Sequence, residues 1–200
     1  MIAPYTGPDG PKLLALGDSI TYQAQSLGQT ATVLRDAGWA VSWNGWPGDE
    51  WRHHEPDLEA GAATAPQAVL LLFGTNDALR YPYSGDRHGG GEALCWRAIR
   101  WAEHYRAACP GAAIVLMTLN EWTLDSGSNW LTPIYNEYMR IRVPRIEGAP
   151  VGLLDWAGIV DEAKAVNGDV LDQYALHPNA AGRDLWEAEL LSVLTALTAP

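Results

Sequence analysis

The 200-residue sequence predicts a three-layer α/β/α domain built on a five-stranded parallel sheet, and two observations carry that prediction. The first is a set of five short, continuously apolar runs: "KLLAL" (12–16), "AVSWN" (40–44), "AVLLLF" (68–73), "AIVLMT" (113–118) and "VGLLD" (151–155). Runs without polar alternation read as strands buried on both faces, which a parallel sheet requires. The second is that amphipathic stretches separate them, so strands and helices alternate, and right-handed crossovers then give the flavodoxin-like order 2-1-3-4-5.

The helical stretches follow from their end signals. "LGQTATVLRDAG" (27–38) closes on a glycine, and "GEALCWRAIRWAEHYRAACPG" (91–111) has apolar residues at helical spacing and stops at Pro-Gly. The last stretch, from Asn179 onward, presents Leu185, Trp186, Leu190, Val193, Leu194 and Leu197 as its expected buried stripe. Trp39, Trp43, Trp96, Trp101, Trp156 and Trp186 fall on or beside these elements and are expected in the core. Between 80 and 91, "RYPYSGDRHGGG" is long for a strand-to-helix connection and is a candidate lid.

Length and composition fit one domain over residues 1–200, with 48% hydrophobic residues and no repeat or low-complexity tract. A formal charge of -11 without a cluster of Lys and Arg argues against nucleic acid and against anionic membrane surfaces as partners. No apolar run reaches the roughly 18 residues of a spanning helix. "MIAPYTGPDGPK" lacks the pattern of a signal peptide, so the chain as written is expected in the cytoplasm, with secretion left open if a leader was removed. Cys95 and Cys109 lie roughly 20 Å apart along one helix and are expected as two separate thiols.

In the predicted sheet, ligands bind beyond the carboxyl ends of the strands, where the first and third strands diverge. That rule selects three loops: "GDSIT" (17–21), "NGWPGDEW" (44–51) and "GTNDA" (74–78), with "LDQYALHPNAAG" (171–182) following the fifth strand. Acyl transfer needs a nucleophile, a base and donors aimed at the developing oxyanion. Ser19 is the candidate nucleophile at a helix start, and His177, in the turn entering the last helix, is the candidate base. The amides of Ser19 and Gly48 and the side-chain amide of Asn76 are the candidate oxyanion donors. Taken singly, Ser19 reads as a helix cap and Asn76 as a turn residue; joined, they read as a site.

These four blocks, in this order and with "YNEYMR" (135–140) between them, resemble the SGNH, or GDSL, hydrolases. The resemblance runs from residue 12 to about 190, and "GDSIT" with "GTND" is its most specific pair. It implies a serine esterase without metal or cofactor, acting through an acyl-enzyme on a small-molecule ester, and it leaves the oligomeric state open. One position departs from the pattern: three residues before His177, where the family places an aspartate, stands Tyr174. Asp172, five before, is the candidate third member; the alternative is a Ser-His dyad.

The expected substrate is a short-chain acyl ester, acetyl foremost, of a small molecule or a carbohydrate, with Trp46, Trp51, Trp122 and Trp130 as candidate substrate contacts and loop packing as their alternative role. A thioesterase, a lysophospholipase or an acyltransferase on the same scaffold, a non-catalytic carbohydrate-binding module and a flavodoxin-like anion binder are the rival readings. The chain has no G-x-S-x-G elbow, no G-x-G-x-x-G and no phosphate-binding Walker loop, which excludes lipase-type α/β-hydrolase, dinucleotide and nucleoside triphosphate chemistry. Asp18 is expected to brace the nucleophile loop, and Asp77 to cap the helix after it. His53 and His54 read as exposed loop residues, and Arg80 as a surface ion-pair partner.

Overall fold

A computed structural model describes residues 1–26, 29–80, 86–121, 131–147, 150–166, 168–172 and 175–199. Five parallel strands, β1 (Lys12–Gly17), β2 (Ala40–Gly45), β3 (Ala68–Leu72), β4 (Ala113–Met117) and β5 (Val151–Leu154), form one sheet in the order β2-β1-β3-β4-β5. The predicted order and strand positions hold. The central pairings run Leu13↔Val41 and Leu13↔Ala68, so β1, β2 and β3 end level with one another.

Strand alternation divides the core into two layers. Leu14, Leu16, Val69, Leu71, Ile114 and Leu116 face α5 (Arg87–Ala108), α6 (Thr132–Arg142) and the segment leading into α3 (Glu55–Ala62). Leu13, Ala15, Leu70, Leu72, Val115 and Met117 face α1 (Ser19–Ser26), α2 (Gln29–Asp36), α7 (Trp156–Ala165) and α8 (Ala180–Thr198). Because both faces are covered, the strands of the sheet centre carry no polar alternation. The outer edge of β2 is closed by Thr6, whose amide and carbonyl both bond Val41 at 2.9 Å.

Two small elements matter for the site: α4 (Thr75–Arg80) directly after β3, and a 3-10 turn at Trp51–His54. Helix α5 begins earlier than the sequence suggests, at Arg87, because the Asp86 carboxylate caps the Gly89 amide at 2.9 Å and draws the glycine run into helix. The candidate lid is shorter for that reason, and its central residues 81–85 lie outside the described residues.

Three apolar expectations are corrected. Trp96 is 45% exposed, with the Arg142 guanidinium stacked 4.1 Å from its ring. Leu185 is likewise 45% exposed on α8, where Trp186, Leu190 and Leu194 make the buried stripe. His54, expected in solvent, is buried against Phe73, its Nε2 bonded to Asp49 at 2.6 Å and its Nδ1 lying 3.3 Å from an Asp57 oxygen. Cys95 and Cys109 are two free, buried thiols, as expected.

Candidate active site

The loop that carries Ser19, the candidate nucleophile, is a packing solution before it is a chemical one. Gly17 and Gly45 end β1 and β2, and a Cβ on either would lie within 2.7 Å of the Thr21 side chain. Two glycines therefore let buried Thr21 drop onto the sheet, which brings the first turn of α1 over the strand ends and sets Ser19 at the mouth between β1 and β3. Asp18, fully buried behind it, accepts the Ile20 amide at 3.1 Å and so caps the turn. Burial, with Asp77 nearby, outweighs the amide of Ile20 and the hydroxyl and amide of Thr75, and pushes the Asp18 carboxyl up to about 7.

The turn after β2 holds the second element. Gly48 has φ +83°, a left-handed conformation that a Cβ resists, and the Asp49 amide closes the turn onto the Trp46 carbonyl at 3.2 Å. Two side chains from α4 fasten this turn: Asn76 donates from Nδ2 to the Asp49 carbonyl at 3.0 Å, and Arg80 donates to the Gly48 carbonyl at 3.0 Å. The Asn76 amide carries a second hydrogen on the same nitrogen. With carbonyls at 48 and 49 held by α4, the Gly48 amide, the Asn76 amide and the first turn of α1 occupy neighbouring loops at one end of the sheet.

His177 closes the constellation. Its Nε2 stands 2.9 Å from Ser19 Oγ, across 158 positions of sequence, and its Nδ1 stands 3.0 Å from Asp172 Oδ2. The Asp172 carboxylate also accepts the amides of Leu176 at 3.0 Å and His177 at 3.3 Å through Oδ1. Burial raises its pKa, but the Leu176 amide, the imidazole and the His177 amide together outweigh burial and hold the carboxyl below its ordinary value. An ionised carboxylate only accepts, so in the neutral ring Nδ1 carries the proton and Nε2 faces the serine hydroxyl as an acceptor. The longer spacing is accommodated by a small hairpin: Asp172 donates its amide to the His177 carbonyl at 2.8 Å, and Leu171 bridges Pro178. Tyr174, at the usual position of the acid, lies outside the described residues.

The four candidate aromatic contacts part ways. Trp46 is 62% exposed and stacks on Tyr22, one turn beyond Ser19, with ring centroids 6.3 Å apart. These two rings border an open groove of about 440 Å³ also lined by Trp43 and Asn44. Trp51 is fully buried between Phe73, at 4.8 Å, and Trp101, at 5.1 Å, and is corrected from substrate contact to core residue. Its amide donates to Asp77 Oδ2 at 3.1 Å, so Asp77 ties the 3-10 turn to α4 from inside that helix instead of capping its start. Burial foremost pushes the Asp77 carboxyl up to about 6, against the Trp51 amide and Arg97. Trp122 and Trp130 lie outside the described residues. Arg80 forms the expected ion pair, with Glu50 at 3.0 Å.

Two residues of the site escaped the sequence reading. Asn120, just past β4, donates to the Ala175 carbonyl at 2.6 Å, and Asn136 of the "YNEYMR" block grips Leu119 through both its amide and carbonyl at 2.7 Å. The signal for Asn120 was its place beyond the carboxyl end of a central strand, the rule that selected the other loops. Among the described residues, no group of three or more His, Cys, Asp or Glu is placed to hold a metal ion, and no helix is long and apolar enough to cross a membrane.

The GDSL-like lipase/acylhydrolase family matches residues 15–185. No curated protein matches the chain by sequence. Among solved structures, a catalytic mutant of the acetylxylan esterase Axe2 from Geobacillus stearothermophilus superposes with a TM-score of 0.70 at 18% identity, covering 95% of this chain and 96% of its own. LAE5, an alpha/beta hydrolase from the metagenome of Lake Arreo, Spain, gives a TM-score of 0.70 at 18% identity over 98% and 100% of the two chains. A member of the lipolytic G-D-S-L family from Veillonella parvula gives 0.69 at 19% identity over 93% and 99%.

Proposed function

Because the chain belongs to the GDSL-like lipase/acylhydrolase family and is a serine ester hydrolase, we propose that it cleaves short-chain acyl esters, acetyl foremost, carried on a carbohydrate, through an acyl-enzyme on Ser19. The observation that carries this reading is the hydrogen-bonded line from Asp172 through His177 to Ser19 Oγ.

In the first step Ser19 Oγ attacks the ester carbonyl while its proton passes to His177 Nε2. The carbonyl oxygen becomes an alkoxide that takes hydrogen bonds from the Ser19 and Gly48 amides and from Asn76 Nδ2, at the N-terminus of α1 where negative charge is favoured. His177 then hands its proton to the departing alcohol oxygen, leaving the acyl group on Ser19. A water molecule then attacks the acyl carbon and gives a proton to Nε2; the bond to Ser19 Oγ breaks, Nε2 returns that proton to Oγ, and the acid product leaves with the water's oxygen. Asp172 stabilises the imidazolium in each half and holds the ring's tautomer.

The carbohydrate part of the proposal rests on the exposed Trp46 and Tyr22 rings past the ends of β2 and β1, Tyr22 one turn beyond Ser19, since flat amphipathic faces suit a sugar ring. It also rests on the acetylxylan esterases among the similar structures. The test is turnover of 4-nitrophenyl acetate against longer acyl chains, together with labelling by a fluorophosphonate. Ser19→Ala lowers turnover at least ~10³-fold and abolishes labelling. Retained turnover in that variant, or label recovered on another residue, overturns the proposal.

A further inference from the structure

The two extra residues between Asp172 and His177 create a mechanical problem that a residue outside the proposed triad solves. The stem of the loop is secured by Asn179, whose side chain donates to the Asp169 and Leu171 carbonyls at 2.8 and 3.1 Å and whose amide bonds the Val170 carbonyl. Its tip turns back at Ala175, which sits at φ +52°, a left-handed conformation that a side chain bearing Cβ resists. Something must hold the tip, and Asn120 does so, donating to the Ala175 carbonyl from across 55 positions of sequence.

The Ala175 carbonyl shares a planar peptide unit with the Leu176 amide, and that amide donates to Asp172 Oδ1 at 3.0 Å. In a trans peptide the C=O and N–H point in opposite directions, so fixing the carbonyl aims the N–H. Asn120 therefore holds one end of a rigid plate whose other end holds the Asp172 carboxylate, and the second oxygen of that carboxylate faces His177 Nδ1. Asn120 is itself anchored. It is buried, and the backbone on its N-terminal side is clamped by Asn136, a fully buried side chain that also donates to Glu121 Oε1 at 2.7 Å.

We infer that Asn120 is a positioning residue for this enzyme, acting on the reaction through the Ala175–Leu176 peptide plane that aims the Asp172 carboxylate at His177. The inference rests on the proposed role of His177 as base. It explains how a chain whose acid stands five positions before the histidine keeps the geometry that the family's pattern builds with the acid three positions before: the longer loop is braced from just past β4.

The test is a double-mutant cycle on 4-nitrophenyl acetate with Asn120→Ala and Asp172→Asn. Asn120→Ala lowers kcat about tenfold or more, leaves KM within about twofold, and weakens the downfield proton resonance of His177 Nδ1–H, since a loosened carboxylate no longer fixes that proton. In the Asp172→Asn background the same substitution costs less than about twofold, because Asn120 then has no carboxylate to aim. The isosteric Asn120→Asp, which keeps the shape but presents an acceptor to a carbonyl, loses as much as Asn120→Ala and serves if the alanine variant does not fold. Unchanged kcat, or losses that multiply independently in the double variant, overturn the inference and leave the proposed function standing. Retained turnover in Ser19→Ala overturns both.

Discussion

Ser19, Gly48 and Asn76 stand at the ends of β1, β2 and β3, three strands locked in register and buried on both faces, whereas Asp172 and His177 stand on a segment outside that sheet, held by a few local backbone bonds and by side-chain bonds from Asn179 and Asn120. The first half of the site inherits its precision from backbone ladders. In the second half each angle is set by a few individual hydrogen bonds, from Asn179 at the stem and Asn120 at the tip. Rigid elements place a group without help, while a loop needs its own supporting shell. The difference teaches where to look for support: a loop this long between acid and histidine takes a bond from outside itself, from Asn120.

The sharpest way to break that comparison is to remove the carboxylate that the loop exists to present. Asp172→Asn keeps shape and burial but offers the imidazole a group that no longer stabilises its charged form. The expected result is a fall in kcat of about 10²- to 10⁴-fold with KM little changed, and a parallel slowing of fluorophosphonate labelling at Ser19. A rate within about threefold of the parent would mean that Ser19 and His177 operate as a dyad, and the loop's bracing would then need another purpose.

A second contrast sits on either side of Gly48. Trp46 and Trp51 are five positions apart in the connection between β2 and α3, yet one ring lies in solvent and the other has no exposed surface. Trp51→Ala removes a ring packed between Phe73 and Trp101 and is expected to cost about 3–5 kcal/mol, lowering Tm by more than ~6 °C in a thermal melt. Trp46→Ala should leave Tm within about 2 °C, raise KM several-fold for an acetylated xylo-oligosaccharide and leave 4-nitrophenyl acetate unaffected. Equal effects on both esters would remove Trp46 from the sugar-binding surface.

The same contrast marks how far the sequence could be read. The sheet, its order and the three strand-end loops were legible because continuous apolar runs and glycine turns are local signals, and local signals survive without coordinates. Asp172 was legible as the nearest acid, but the reach of its carboxylate depended on how residues 172–177 folded back, which turns on a long-range bond from Asn120. Trp51 was misread because a tryptophan beside a loop glycine carries no mark of which way its ring points. Its direction is set by the Asp77 bond to its amide and by the pocket between Phe73 and Trp101, both far away in sequence. His54 was misread for a related reason: its partners Asp49 and Asp57 lie close in sequence, but the apolar wall that buries it is Phe73.

The smallest expected effect concerns Asp18, on the sheet-built side, where rigidity has an electrostatic cost. Its carboxyl is raised from 3.8 to about 7 by burial, so the folded chain holds its proton more tightly than the unfolded chain does. Between these two values the folded state binds more protons, and stability contributed by this group is present below about pH 4 and is lost as pH rises toward 7. Asp77, raised to about 6, acts with the same sign over a narrower window, while Asp172 and Asp155, whose pKa values are lowered, act oppositely and lose stability on acidification. Asp18→Asn has the shape and the donor-acceptor pattern of the protonated acid at every pH. Its Tm minus that of the parent should therefore climb by a few degrees from pH 4 to pH 7 and then level off, whatever constant offset the substitution brings. A difference that is flat across that range would mean that the buried carboxyl titrates at its ordinary value and that the Ser19 loop stores no charge penalty.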